Sequence, residues 1–389
     1  MKSLSSPALR LSPASHPMKG EQFAAVLVNW QTRHGRQTLP WQHTGDAYKV
    51  WLSEIMLQQT QVTTVLTYYE KLLNACPKVS DLAAASQQDV MQLWAGLGYY
   101  TRARNLHACA QQVVERFGGV FPRDVADLES LPGIGRSTAG AIASLAYGVQ
   151  APILDGNVKR VFCRYYGVEG YPEQSAVKKQ LWLIAETNVP RANPGQYNQA
   201  LMDLGATRCT PRNPDCRQCP LNESCVALSK GQVNQLPTPK PKKERPELYF
   251  ISLLVQDETR ALLLDIQPDK GVWQGLWTPP CVPCDEEHQP AALLPEFDQI
   301  LSRWGLSDAR EEIEEQLQRL QGQSWLVHEL THRKMHFKVL ALKRSGFHAA
   351  FHQLSEKPVP RIVHKLLEQA GRLNESPQSS MAQQDTLDF

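Results

Sequence analysis

The chain has 389 residues, 42 % of them hydrophobic and 21 % charged, with a formal net charge of +2. That length suits two domains, each able to bury a core of its own. Net charge alone would not bring such a chain to nucleic acid, so any surface of that kind must come from local clustering; with no run of eighteen apolar residues, a membrane-spanning helix is excluded as well.

Residues 1–18 are rich in Ser, Pro and Ala, hold no acid and lack the continuous apolar core of a secretory signal, so a disordered extension is expected there. Met18 offers an alternative start, because helical patterning begins just after it. The patterning predicts helices over 21–33, 50–74, 86–97, 102–117, 137–146 and 157–166, with Gly, Pro or Asp in the breaks. No strand-like alternation occurs before residue 229, and 19–229 reads as one helical domain. The stretch 235–246 alternates Pro with Lys, which suits neither helix nor sheet. A basic linker over 230–247 follows, either a plain tether or a contact for DNA phosphate. Strands are then expected over 248–256, 260–266, 325–330 and 337–342, and helices over 296–304 and 309–320. This mixture makes 248–370 a smaller α+β domain. The polar tail 371–389 reads as disordered.

Nine cysteines, unevenly spread, do not make a secreted disulfide framework. Four of them, Cys209, Cys216, Cys219 and Cys225, are separated by six, two and five residues. Thiolates at this density suit a metal site in a reducing compartment. Zinc sites usually pair two Cys-x-x-Cys knuckles; a single knuckle in an asymmetric spacing favours a [4Fe-4S] cluster. Upstream, Leu131-Pro-Gly-Ile-Gly-Arg-Ser137 joins two helical segments. Gly133 and Gly135 permit a tight turn with free N–H groups at a helix start, which suits a phosphate as well as a bare αα-turn. Glu54 lies on a helix among Trp51, Ile55, Met56 and Leu57, either on a solvated face or partly desolvated with a raised pKa. Asp155, in Leu154-Asp-Gly-Asn157, suits a helix N-cap.

The cysteine spacing resembles that of the endonuclease III superfamily of DNA glycosylases. The glycine turn resembles its helix-hairpin-helix element, and the residues around Glu54 resemble the MutY-type adenine glycosylase branch. The resemblance spans about 21–367, closest before Ser229 and looser after Pro246. It implies a helical helix-hairpin-helix glycosylase with one structural [4Fe-4S] subdomain and a C-terminal α+β Nudix-like domain. It further implies hydrolytic removal of adenine opposite 8-oxoguanine, and opposite guanine, from double-stranded DNA. Glu54 would protonate the adenine, and Asp155 would stabilise the cationic sugar. Ser137 stands where the strand-cleaving members of the superfamily carry lysine, so no strong lyase activity is implied. Leu97 and Tyr99 would wedge into the duplex, Gln59 would intrude beside the oxidised guanine, and Trp41 and Gln199 would line the adenine pocket. Arg208, Arg212 and Arg217 would face phosphate. Leu330-Thr331-His332 resembles the loop that senses 8-oxoguanine, through Thr331 and His332.

Arg310 to Glu315 imitates part of a Nudix pyrophosphatase box but breaks its pattern, and reads as a solvated helix face. Cys281-Val-Pro-Cys284 reads as coincidence. Gln384, Leu387 and Phe389 resemble the short peptide by which bacterial repair proteins dock on the replication sliding clamp. A monomer in the bacterial cytoplasm, associated with the nucleoid and not with a membrane, completes the expectation. The rival readings are a pyrimidine-lesion glycosylase–lyase, a non-catalytic iron–sulfur DNA-binding protein and a nucleotide pyrophosphatase.

Overall fold

The computed structural model describes residues 17–241, 244–268, 271–287, 289–344 and 351–374. The tail that carries Gln384, Leu387 and Phe389, and nearly all of the N-terminal extension, lie outside them. Contacts divide the chain into two units, Met1–Ala85 with Thr101–Lys242, and Ser86–Tyr100 with Lys243–Phe389. Ser86–Tyr100 was expected within the helical domain, yet it groups with the second unit. There Tyr100 OH donates to Val359 O at 3.4 Å, and Gln92 bonds the carbonyl of Ser355.

Before residue 230 the described chain is helical: α1 (Gly20–His34), α2 (Ala47–Leu57), α3 (Val62–Ala75), α4 (Val79–Ala84), α5 (Gln87–Trp94), α6 (Thr101–Phe117), α7 (Val125–Glu129), α8 (Arg136–Tyr147), α9 (Gly156–Tyr166), α10 (Ser175–Asn188), α11 (Pro194–Thr207) and α12 (Val226–Ser229). α5 lies in the Ser86–Tyr100 segment. Helix α1 buries Phe23, Ala24, Leu27, Trp30 and Gln31, one stripe at helical spacing. That stripe packs with Phe162 and Tyr165 of α9, Leu181 of α10 and Leu201 and Leu204 of α11. The single helix expected over 50–74 is two helices, because the chain turns at Gln59 with φ +58°.

Small residues set how closely the site helices approach. A Cβ on Gly140 of α8 would lie 2.2 Å from the carbonyl oxygen of Pro152, and one on Gly205 of α11 would lie 2.6 Å from Asn157 Cβ. Between them the buried Asn198 amide donates to Ser144 Oγ at 2.8 Å and Ala151 O at 2.9 Å. The segment leading into Asp155 is thus held from two sides.

The second unit is built on a mixed sheet. Its strands are β1 (Glu247–Gln256), β2 (Leu262–Leu263), β5 (Cys281–Cys284), β6 (Leu326–Glu329), β7 (Lys334–Lys343) and β8 (Phe351–His352), while β3 (Asp265–Ile266) pairs β4 (Trp277–Thr278) apart from it. The order is β6-β7-β1-β2-β8, with β5 also on β1, and β1 runs parallel to β7 from Glu247 opposite Lys334 to Gln256 opposite Lys343. Helices α13 (Pro290–Arg303) and α14 (Arg310–Arg319) cover Ile251, Leu253 and Val255 on one face. Helix α15 (Arg361–Asn374) covers Leu254, Phe337 and Val339 on the other. Helices on both faces explain why the centre of β1 is buried without alternation. The strand expected over 260–266 is split into β2 and β3, which join different sheets.

Cys281 and Cys284 pack against opposite faces of the sheet, so they do not face one another. On α14 the inward residues are Ile313 and Leu317. Its outer acids pair with arginines, Glu314 with Arg310 at 3.4 Å, Glu315 with Arg319 at 2.9 Å and Glu312 with Arg344 at 3.1 Å. That is the solvated face read from the sequence.

Gly140→Ala forces the Pro152 carbonyl aside, and overpacking of this kind costs about 1–3 kcal/mol. Thermal unfolding of this variant is expected at a lower temperature than wild type, whereas Gly148→Ala at the surface turn, with nothing within 4 Å, tests only the strain of its φ of +66°.

Candidate active site

Helix α2 starts at Asp46, whose carboxylate accepts the N–H groups of Tyr48 at 2.9 Å and Lys49 at 3.4 Å. Val50, Trp51, Leu52, Ser53, Ile55 and Met56 are buried, so Glu54 is carried inward with them. It lines a cavity of about 480 Å³ together with Trp41, Val50, Leu57, Gln199 and Met202. That size is within the range of small-ligand sites. Trp41 is both core and wall: it is buried, its ring stands edge-on to Tyr69 at 5.1 Å, and it faces the cavity. Burial pushes the Glu54 carboxyl up to about 7, and the nearby charge of Asp155 pushes in the same direction. A carboxylic acid so placed keeps its proton near neutral pH and can donate it.

Asp155 is the N-cap of α9, and its Oδ1 accepts the N–H of Val158 at 2.7 Å. Burial raises its pKa, opposed by that hydrogen bond and by the Arg160 charge. Ser137, in the first turn of α8, accepts the N–H of Leu154 at 2.9 Å and so steadies the residue before Asp155.

The hairpin between α7 and α8 needs glycine at Gly133, which has φ +77° and whose Cβ would meet Asn105 Cβ at 2.8 Å. Gly135 differs from expectation. It is the N-cap of α8 with φ −96°, and a Cβ there would meet nothing within 4 Å. Its lack of a side chain therefore serves the space outside the turn and not the turn itself. No side chain caps α8, which leaves its first N–H groups to an outside acceptor.

Gln59 is exposed at the turn after α2. In the second unit, Tyr99 has φ +51°, is 47 % exposed and stands 3.1 Å from Thr331 Oγ1 through its hydroxyl. Thr331 and His332 are exposed at the tip of the β6–β7 hairpin. Leu97 corrects the expectation of two wedges: it is buried at 6 % exposure, and of the pair only Tyr99 is presented. The cause is the short loop after α5, where Leu97 N–H donates to Trp94 O and folds the side chain inward.

Cys209, Cys216, Cys219 and Cys225 line one small cavity with Arg164 and Leu228. Arg208 corrects another expectation, since it turns onto Asp215 at 3.1 Å, while Arg212 and Arg217 are exposed. Two arginines of α9 reach the same loop. Arg160 donates to Cys209 O at 2.7 Å and to Asn157 Oδ1 at 2.8 Å, and the buried Arg164 donates to Thr210 O at 2.8 Å and Cys209 Sγ at 3.4 Å. Sequence reasoning missed both, although their i, i+4 spacing just after Asp155 placed them on one face. It also missed the fully buried Asp203, which accepts from Arg36 Nε at 2.8 Å and Gln199 Nε2 at 2.9 Å at the cavity wall. Partners 167 residues apart leave no local signal.

The profile of the HhH-GPD superfamily of base excision DNA repair proteins matches residues 52–187, and that of the NUDIX domain matches 251–369. The adenine DNA glycosylase of Buchnera aphidicola subsp. Schizaphis graminum (strain Sg) is 40 % identical over 257 residues, 66 % of this chain and 73 % of that protein. The chain belongs to the adenine DNA glycosylase family. The adenine DNA glycosylase of Mus musculus is 37 % identical over 374 residues, covering 82 % of this chain and 70 % of its own length. The structure of a thermostable thymine-DNA glycosylase, 31 % identical, covers 54 % of this chain and 96 % of its own, with a TM-score of 0.49. The protein is thus a base-excision-repair glycosylase with a helix-hairpin-helix fold and a C-terminal NUDIX domain.

If Glu54 is the proton donor, activity requires its acid form. That form is lost as pH rises through about 7, so the single-turnover rate should fall above that point. Glu54→Gln should lose roughly 10²–10⁴ in rate and flatten that limb; an unaltered alkaline limb in the variant would assign it to another group.

Proposed function

We propose that this glycosylase hydrolyses the N-glycosidic bond of adenine paired with 8-oxoguanine, and also of adenine paired with guanine. The observation that carries the reading is Glu54 in the wall of a cavity of about 480 Å³, its pKa pushed up to about 7 by burial and by the nearby charge of Asp155. Adenine leaves poorly as an anion, so Glu54 protonates the ring as the bond stretches. Asp155 holds negative charge against the developing oxocarbenium sugar until water adds. Trp41 lies against the extruded base. Gln199, whose amide nitrogen is engaged by Asp203, offers its side-chain oxygen to the exocyclic amine. With Ser137 in place of an amine, no Schiff base forms and the strand stays intact.

Duplex is held at the hairpin, where Gly135 lets phosphate approach the uncapped start of α8. Extrusion costs roughly a few kcal/mol, and Gln59 and Tyr99 fill the space left behind. Thr331 and His332 read the oxidised guanine. Arg212 and Arg217 add phosphate contacts.

Cys209, Cys216, Cys219 and Cys225 would hold one [4Fe-4S] cluster. Among the described residues no three His, Cys, Asp or Glu side chains are grouped to hold a single metal ion, whereas a four-iron cluster takes one thiolate per iron, spread around it. The donor set and the Arg164 hydrogen bond to Cys209 Sγ fit that group, which would brace the loop and take no part in base removal. The last six residues, with Gln384, Leu387 and Phe389, would dock on the sliding clamp.

An end-labelled duplex with adenine opposite 8-oxoguanine tests the whole reading. Strand breaks should appear only after hot alkali. Thr331→Ala with His332→Ala should lower the preference for 8-oxoguanine over guanine by roughly tenfold, the worth of one good hydrogen bond. Breaks without alkali would contradict the role given to Ser137, and an unchanged preference would remove the hairpin from lesion reading.

A further inference from the structure

Helix α2 ends without the glycine that usually turns a chain out of a helix. Its last carbonyls have no helical donors of their own. Gln58 has φ −59° and ψ 109°, Gln59 has φ +58°, and Thr60 N–H donates to Leu57 O at 3.3 Å. These are marks of a type II turn, whose second central position favours glycine. An exposed glutamine stands there instead, in a backbone region that a side chain disfavours.

The side chain of an arginine from outside α2 and α3 meets this turn. Arg102, the second residue of α6, sends Nη1 to the carbonyls of Ile55 at 3.0 Å, Met56 at 2.9 Å and Gln58 at 2.8 Å, and Nη2 to Thr60 Oγ1 at 3.2 Å. A cation at the carbonyl end also suits the helix dipole. The residues on both sides of Gln59 are bound by the same guanidinium, while its own side chain projects. A planar fork can serve several acceptors at fixed angles, which the point charge of lysine cannot.

We propose that Arg102 is the positioning residue for Gln59: it replaces a glycine cap and so holds a glutamine, with its amide, in the projecting conformation. This rests on the reading that Gln59 intrudes beside the oxidised base. Arg102 itself touches no substrate.

The test uses the full chain and a duplex holding uncleavable 2′-fluoroadenosine opposite 8-oxoguanine, with 2-aminopurine as the neighbouring base to report unstacking. Arg102→Lys and Gln59→Ala should each reduce the fluorescence rise and weaken binding by roughly tenfold or more, the scale of a misplaced contact. In the double variant the losses should not multiply. Thr60→Val, which removes only the Nη2 contact, should reduce the signal less, and it decides the matter if Arg102→Lys does not fold. Multiplying losses, or a full fluorescence rise in Arg102→Lys or in folded Thr60→Val, would overturn the assignment. A full rise and unchanged binding in Gln59→Ala would instead overturn the reading of Gln59 on which it rests.

Discussion

Glu54 and Asp155 are carried half-buried on different helices, near enough that the charge of one raises the pKa of the other. Two carboxyl groups so placed cannot both ionise freely, and their surroundings decide which keeps the proton. Asp155 receives the Val158 N–H and the influence of Arg160, both favouring its anion. Among the causes that shift Glu54, nothing favours its anion. The two backbones differ in what they offer a carboxylate: Glu54 stands mid-helix, where N–H groups are already used, and Asp155 caps a helix start, where they are free.

Keeping that pair in place shapes much of the helical unit. Ser137 fixes Leu154, Gly140 lets α8 touch Pro152, and Gly205 lets α11 touch Asn157. Helix α9 then runs from Asp155 to the cysteine loop, where Arg160 and Arg164 bind four backbone oxygens of the loop and of α11, and one sulfur. The loop is thereby braced against the same helix that presents the anion. A buried arginine such as Arg164 with this many acceptors is costly to disturb, since a lost partner leaves a charge unpaired.

What could be read from the sequence was local. Asp155-Gly-Asn predicted a cap, and the cap is there. The Glu54 neighbours left a solvated and a partly desolvated carboxyl both open, and the structure has it half-buried in the cavity wall with its pKa raised. The cysteine spacing predicted an iron–sulfur site, and the four thiols line one small cavity. What could not be read was set by distant partners. Arg102, more than forty residues away, binds the turn that divides the helix expected over 50–74. Asp203 secures Arg36 across the fold, Asp215 pairs with a half-buried Arg208, and Leu97 lies buried in a short loop. In the second unit, the 260–266 run has strand composition throughout, but neighbours in two sheets divide it.

The claim at the centre of this account is that Glu54 is an acid at neutral pH because it is buried beside an anion. Carbon-detected NMR of ¹³C-labelled glutamate, titrated in the wild type and in Asp155→Asn, tests it without any substrate. The Glu54 carboxyl should titrate near 7 in the wild type. Since burial is the larger cause and the Asp155 charge the smaller, it should titrate lower in Asp155→Asn but still above an ordinary glutamate. A carboxyl that titrates in both proteins near the ordinary value of about 4.3 would contradict it.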